Sequence, residues 1–399
     1  MKIIYYSPHP THDIVTEVGY ATHQRETIHA LQKLGVEVIP VIMGGTTLEE
    51  VPYKEGKAIE QNGLKGFIKK ILPRFIWVSI KDFMLMRYDV KAGMKLEKAI
   101  LEHQPDLIYE RSEYLQDSGI KPAKRHGIKY FLEVNAPFVQ EMREMEGWSF
   151  WLWLGHKKEK HKYQSADKIF VVSTVLKDFL VQRYQIDSTK ILVSPNKINK
   201  EEFLEKANES PAISLNFDNP NWPIIGFVGS ILPHHYVDVL IDAFAIIRKQ
   251  ETQANLLIVG GGSLLDKLKL KAKDLGISDY ILFTNKVPHK QIPAIINSMD
   301  ICVMPGSNWY GSPIKIFEYG ILGKVVIAPD NGPIRDVMEH EQDGLLIDKD
   351  ARILADAITK LINNPELSKT LGDNFRNKII ADYTWEKAGE IILDAFNKK

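Results

Sequence analysis

Cysteine is nearly missing from this chain. Cys302 is the only one among 399 residues, so neither an intrachain disulfide nor a cysteine-built metal site can form. A surplus of either charge is missing as well: 51 basic side chains meet 51 acidic ones. That balance argues against a nucleic-acid binder dominated by electrostatics. No apolar run reaches the roughly 18 residues of a membrane-spanning helix. The stretch Met1 to Pro8 is too short in apolar residues for a signal peptide and reads as a first strand. Together these absences predict a protein facing the cytoplasm. Tandem repeats and low-complexity segments are also absent.

What is present suits a globular α/β protein. With 44% hydrophobic and 26% charged residues, the chain can bury two cores of roughly 150–200 residues each. Short apolar runs recur in the first half near 2–6, 36–42, 106–109, 130–134, 168–172 and 191–193. Between them lie helical stretches such as 20–34. The second half repeats the scheme with runs near 224–228, 255–259, 280–283, 300–304, 324–328 and 345–347. Strands alternating with helices predict two parallel, doubly wound Rossmann-like sheets. Turn formers crowd 208–211 and 216–223, which places the linker there and the domains at 1–207 and 221–381.

The stretch Gly311-Ser312-Pro313-Ile314-Lys315-Ile316-Phe317-Glu318 carries the most chemistry. Gly311 permits close backbone approach, Ser312 suits an N-cap and Pro313 suits the first helical position. A helix starting this way aims free N–H groups and its positive dipole end at an anion such as a diphosphate. Glu318, under two turns further on, can accept both hydroxyls of a ribose. Lys315 can neutralise phosphate or simply pair with Glu318 at i,i+3. The order of strand, anion-ready helix start, inward carboxylate and strand predicts a nucleotide-sugar site.

These residues resemble the family 4 retaining glycosyltransferases of the GT-B fold, in the subset with a Ser-Pro-x-Lys-x-Phe-Glu pattern. The resemblance extends over almost the whole chain, through 226–230 with 237–244, through 256–262 and through Asp343-Gly344-Leu345-Leu346-Ile347. It implies two domains facing a cleft, an acceptor-binding one first and a donor-binding one second, with a last helix at about 382–399 crossing back to the first. It also implies a metal-independent hexosyltransferase without a cofactor. The reaction would move sugar from a nucleoside diphosphate, expected to be uridine, to a hydroxyl of a glycan or lipid-linked glycan in cell-surface polysaccharide synthesis. The leaving phosphate would help to deprotonate the acceptor.

Several positions depart from the family pattern. Tyr310 stands where the first signature glutamate belongs, Ser230 where an Arg is usual, and His235-Tyr236 where Lys-Gly is usual. Asn135 occupies the place of a catalytic His at the end of a first-domain strand. The departures leave open how the phosphate charge and the reacting centre are stabilised.

Glu318, Lys315, Asn135 and Glu133 form the expected catalytic set. Donor contacts are expected from Gly19, Gly229, Ser230, His235, Gly260, Asn285, Val287, Tyr310, Gly311, Ser312, Pro313 and Ile314, with a protonated His235 partly replacing the missing cations. Tyr20, Glu110 and Arg111 are the acceptor-side candidates, although Glu110, Arg111, Glu133 and Asn135 equally suit buried salt bridges. Asp348-Lys349-Asp350 spells a metal-binding Asp-x-Asp in a polar loop, and the expectation is coincidence. Cys302 is expected to be plain core.

Residues 64–98 mix Lys65, Lys69, Lys70, Arg74, Lys81, Arg87 and Lys91 with aromatic and aliphatic side chains, and 148–160 add Trp148, Phe150, Trp151, Trp153 and more lysines. Such faces suit either an anionic membrane surface or a helix packed on its own sheet. Beside the transferase, two other classes fit the fold: a nucleotide-sugar 2-epimerase and a non-catalytic partner protein.

Overall fold

The computed structural model describes residues 1–16, 18–47, 50, 72–209 and 214–398. It divides into two compact units, Met1–Ser194 with Ala388–Lys399, and Pro195–Lys387.

The first unit is built on six strands: β1 (Lys2–Ser7), β2 (Glu37–Ile42), β3 (Leu107–Arg111), β4 (Lys129–Val134), β5 (Lys168–Val171) and β6 (Ile191–Val193). They pair in the order β2-β1-β3-β4-β5-β6, all in parallel. Ile3 sits in register with Val38 on one side and Leu107 on the other. Burial of both faces explains why these strands read as unbroken apolar runs.

The second unit repeats the plan with β7 (Ile224–Val228), β8 (Asn255–Val259), β9 (Ile281–Phe283), β10 (Ile301–Val303), β11 (Val325–Pro329) and β12 (Leu345–Ile347). Its order is β12-β11-β10-β7-β8-β9, again parallel throughout. Side-chain alternation splits the core between the two faces. Leu256 and Ile258 join Phe227 and Val303 on one face. Leu257 and Val259 join Val228, Cys302 and Met304 on the other. Cys302 is fully buried there, as expected.

The unit boundary falls at Ser194/Pro195, earlier than the turn-rich linker suggested. The helix Lys200–Ala207 belongs to the second unit because Phe203 buries against Ile292, Ile295 and Ile296. Asn297 also donates to the Ala207 carbonyl at 3.1 Å. Composition marks where a chain can bend; packing decides where a unit ends. The last helix, Trp385–Asn397, returns its C-terminal part to the first unit. Ile392 and Ala395 pack there with Ile3, Tyr5, Ile28 and Leu31, and Lys129 Nζ donates to the Phe396 carbonyl at 2.7 Å.

Both sheets reverse their winding once, between β1 and β3 in the first unit and between β7 and β10 in the second. In open α/β sheets the crevice beyond the strand ends at such a reversal receives ligands.

Candidate functional site

In the second unit the loop after β7 and the loop after β10 flank the reversal point. The β7 loop opens with Gly229 at φ +146°, a conformation that side-chain-bearing residues rarely adopt. A Cβ here would also lie 2.7 Å from Lys315 Nζ, so the ammonium rests directly over this glycine. Gly260 packs beneath it; a Cβ on Gly260 would approach the Gly229 carbonyl oxygen to 2.0 Å. The two glycines thus leave a shallow floor between strand ends.

Lys315 rises from the helix Ile314–Ile321. Its Nζ lies 4.6 Å from the centre of the Phe227 ring and is buried without a hydrogen-bond partner. Burial pulls its pKa down to about 7, only partly offset by the charge of Glu318. A buried lysine held over glycines with nothing to donate to is a ready receptor for an anion. The i,i+3 ion pair with Glu318 is not made. Glu318, itself buried, instead has Oε1 at 3.3 Å from His289 Nε2, a residue the sequence did not single out.

Local capping differs from expectation. The helix begins at Ile314 with Pro313 as its N-cap residue, and no side chain caps it. Ser312 is occupied elsewhere: its Oγ accepts from the backbone N–H of Asn196 at 3.0 Å, and its carbonyl accepts from the Asn196 side chain. Gly311 N–H is held by Asn308 Oδ1 at 2.8 Å, which shapes the loop in front of the helix. Tyr310, at the place of the first signature glutamate, is buried with its ring edge against Trp309.

His235 carries no charge in the free protein. Burial, and then the Lys315 charge, lower its pKa to about 4, and its Nδ1 contacts the Ser230 carbonyl. At neutral pH it is uncharged. Asn285 is in the left-handed region at φ 60°. Its carbonyl accepts from Gly260 N–H at 2.9 Å, so that backbone group braces the glycine floor. Val287 packs partly buried against the neighbouring core. Asp350 of the Asp-x-Asp caps the helix Ala351–Ile362, accepting from Arg352 and Ile353 N–H. Among the described residues no group of three or more His, Cys, Asp or Glu side chains is arranged to hold a metal.

In the first unit Arg111, Glu133 and Asn135 form a closed network. Arg111 Nη1 donates to Glu133 Oε1 at 2.7 Å, and Asn135 Nδ2 donates to the same oxygen at 2.6 Å. Tyr109 donates to Oε2 at 3.2 Å, and His23 Nδ1 lies 3.4 Å from Oε1. Burial alone would raise the Glu133 pKa, but His23, Arg111 and these donors hold it below the usual range. Asn135 and Arg111 are therefore engaged with Glu133. Glu110 is completely enclosed and accepts from Tyr130 at 2.8 Å; burial pushes its pKa up to about 8 despite Lys162 and that bond. It is a core acid in this structure and presents no surface to an acceptor. Gly19 opens the helix Gly19–Lys33. Tyr20 stacks on His12 with ring centres 4.3 Å apart. His12 and Glu113 complete this corner and were not marked by the sequence; they stand about a hundred residues apart along the chain.

Comparison with known proteins bears on the family and the fold. Residues 214–378 match the family of glycosyl transferases group 1, and residues 19–202 match glycosyltransferase family 4. One glycosyltransferase family model thus matches each half of the chain, and the fold is GT-B. A GDP-mannose-dependent α-(1-6)-phosphatidylinositol monomannoside mannosyltransferase of Mycobacterium tuberculosis is 28% identical over 179 residues, 43% of this chain and 46% of the relative. The chain thus spans about half the length of such a curated relative. An uncharacterized glycosyltransferase of Methanocaldococcus jannaschii is 28% identical over 332 residues, 82% of this chain and 84% of that one. Among solved structures, sucrose-phosphate synthase from Thermosynechococcus elongatus superposes with a TM-score of 0.70 at 18% identity, covering 99% of this chain and 98% of its own.

Proposed function

We propose that the chain is a retaining glycosyltransferase that moves a sugar from a nucleoside diphosphate to a hydroxyl of a glycan or lipid-linked glycan. The observation that carries this reading is Lys315. Its buried, unpartnered ammonium lies over Gly229 at the reversal point of the second sheet, on the same helix as the buried Glu318. A diphosphate would satisfy the lysine and the first-turn N–H groups together. A ribose would then bring its hydroxyls to Glu318. The chemistry would rest mainly on oriented dipoles and charge.

Uridine is the expected donor base. The guanosine named for the mycobacterial relative is the competing choice. A panel of UDP- and GDP-sugars, followed by thermal shift, decides between them, because a ligand that binds only the native state raises its apparent stability. Incubation of the binding donor with and without a membrane glycan extract separates transfer from 2-epimerisation and from mere binding. The anomeric configuration of the product tests retention. Transfer should survive EDTA; loss restored by manganese or magnesium would overturn the metal-independent reading.

A membrane-associated acceptor also fits the first unit. Trp148, Phe150 and Trp153 are 52%, 53% and 64% exposed. Phe75 joins the first two in edge-to-face contacts. Phe83 and Met84 continue the apolar surface along the helix Arg74–His103, beside exposed Arg87, Lys91, Lys157 and Lys160. Lys65, Lys69 and Lys70 lie outside the described residues. Among those described, no helix is long and apolar enough to cross a membrane.

A further inference from the structure

Three groups follow one another around the reversal point of the second sheet: an ammonium, a carboxylate and an imidazole. Lys315 and Glu318 stand three residues apart on the helix Ile314–Ile321. Next to Glu318 comes the loop that follows β9, which runs from Thr284 into the short turn His289–Gln291. This loop is fixed against the glycine floor. Gly260 N–H donates to the Asn285 carbonyl at 2.9 Å, and a Cβ on Gly261 would lie 3.7 Å from the Lys286 backbone nitrogen. Val287 packs against the core, so the turn carrying His289 sits on a braced segment.

His289 Nε2 lies 3.3 Å from Glu318 Oε1, and the two side chains are 54% and 9% exposed. An ionised carboxylate only accepts, so the proton of that contact belongs to the imidazole. At 3.3 Å the contact is longer than the usual N–H···O distance of about 2.9–3.0 Å, and a better-placed donor displaces it. The chemistry of the whole loop is one-sided. Residues 284–291 carry Lys286, His289 and Lys290 and contain no Asp or Glu, and all three of these side chains are exposed.

Nucleobases differ on the edge nearest the ribose. Uracil, like thymine, presents its O2 carbonyl there, an acceptor, whereas guanine presents its N2 amine, a donor. The ribose 2′-hydroxyl stands beside that edge, so a side chain touching the carboxylate that holds the ribose is within reach of the base. We propose that His289 selects the base of the sugar nucleotide, taking uracil and turning away guanine. The inference rests on the nucleotide reading above, with a diphosphate at Lys315 and a ribose at Glu318. As the ribose hydroxyls donate to the Glu318 oxygens, the Nε2–H leaves Oε1 and donates to uracil O2. Guanine would set its N2 amine against the same N–H, two donors with no acceptor between them, and a donor left unpaired under a bound base costs more than a hydrogen bond contributes. The loop also lacks a carboxylate to accept from the N1–H and N2 amine of guanine together.

The test is calorimetric titration of the full chain with UDP and with GDP. The wild type should bind UDP more tightly by about tenfold or more, from one hydrogen bond gained against one donor left unpaired. In His289→Ala the two affinities should come within about threefold of each other, UDP weakened and GDP strengthened, since neither the bond nor the clash remains. His289→Asn, whose amide can turn either its N–H or its carbonyl toward the base, should also lose the preference and hold GDP better than the alanine variant does. Lys315→Met should weaken both nucleotides alike and keep the wild-type ratio, which separates loss of the diphosphate site from loss of base selection. A His289→Ala chain that keeps the wild-type ratio, or a wild type that prefers GDP, overturns the inference and leaves the transferase reading standing. A wild type that binds neither overturns it as well, and binding of no nucleoside diphosphate at all removes the transferase reading with it. Should His289→Ala fail to fold, His289→Asn decides, and a wild-type ratio there counts against the inference.

Discussion

Lys315 illustrates how a binding group can cost stability. Its pKa of about 7 in the folded chain lies below the ordinary 10.5, so the unfolded chain binds more protons between those values. Stability therefore rises with pH across that window, and the cost of the buried charge is full below pH 7. Lys315→Met should raise the melting temperature of the free protein, by a stability gain on the order of a few kcal/mol near neutral pH. The gain should shrink as pH approaches 10, and thermal unfolding across pH checks it. The same variant should lose nucleotide affinity. In the wild type a bound diphosphate restores the charge, so nucleoside diphosphate binding near pH 8 should take up protons. Calorimetry in buffers of different ionisation enthalpy reads that uptake; heats independent of buffer would argue against a diphosphate at Lys315. Glu318→Gln keeps the shape but removes the charge, and nucleotide affinity should drop by about 1.5–3 kcal/mol if the carboxylate holds ribose hydroxyls. Unchanged affinity in that variant would remove Glu318 from the site.

At the scale of elements, the strand β10, its loop and the helix Ile314–Ile321 act together with a segment far away in sequence. Asn196 joins Ser312 through both its backbone N–H and its side chain. The segment continues to Ile198, whose N–H donates to the Tyr383 carbonyl at 2.9 Å. The loop in front of the anion-ready helix is thus braced by the residues that open the second unit. Asn196→Ala keeps the backbone bond and removes the other. Donor KM should rise by about twofold to roughly tenfold, as expected for one lost hydrogen bond of roughly 0.5–1.5 kcal/mol, with kcat little changed. A drop in kcat at constant KM would mean that Asn196 serves the reaction rather than the loop. The strands themselves were legible because burial on both faces writes unbroken apolar runs. The cap was not. Ser312 and Pro313 have the right chemistry for a helix start, yet Asn196 claims the serine, and no local pattern announces that competitor.

For the whole molecule, the exposed aromatics of the first unit bear on where the acceptor is met. Trp148, Phe150 and Trp153 changed together to Ser should abolish sedimentation with vesicles containing anionic lipid. The wild type should prefer such vesicles over neutral ones by roughly 1 kcal/mol for each engaged Lys or Arg, and release in high salt. Arg74 and Lys81 contribute less to such a surface than their charge suggests. Arg74 donates to the Met145 carbonyl at 2.6 Å, and Lys81 pairs with Glu146 at 3.2 Å. Equal binding to neutral and anionic vesicles, or none to either, would return these aromatics to a packing role.

Read alone, the chain determined the two parallel sheets, the buried place of Cys302 and the placing of Lys315 and Glu318 on one helix, because each is written in local periodicity or in one short motif. Tertiary structure decided what those residues touch. It left Lys315 without a partner, gave Glu318 a neighbour in His289 and neutralised His235. It also closed Glu133, Arg111 and Asn135 into a network, and joined His12 to Glu113 across the first reversal point. The physical reason is common to all five. Desolvation and the pairing of charges depend on groups that come together only when strands far apart in sequence lie side by side. Residue type and spacing disclose the ingredients of such an environment, and packing alone sets its balance.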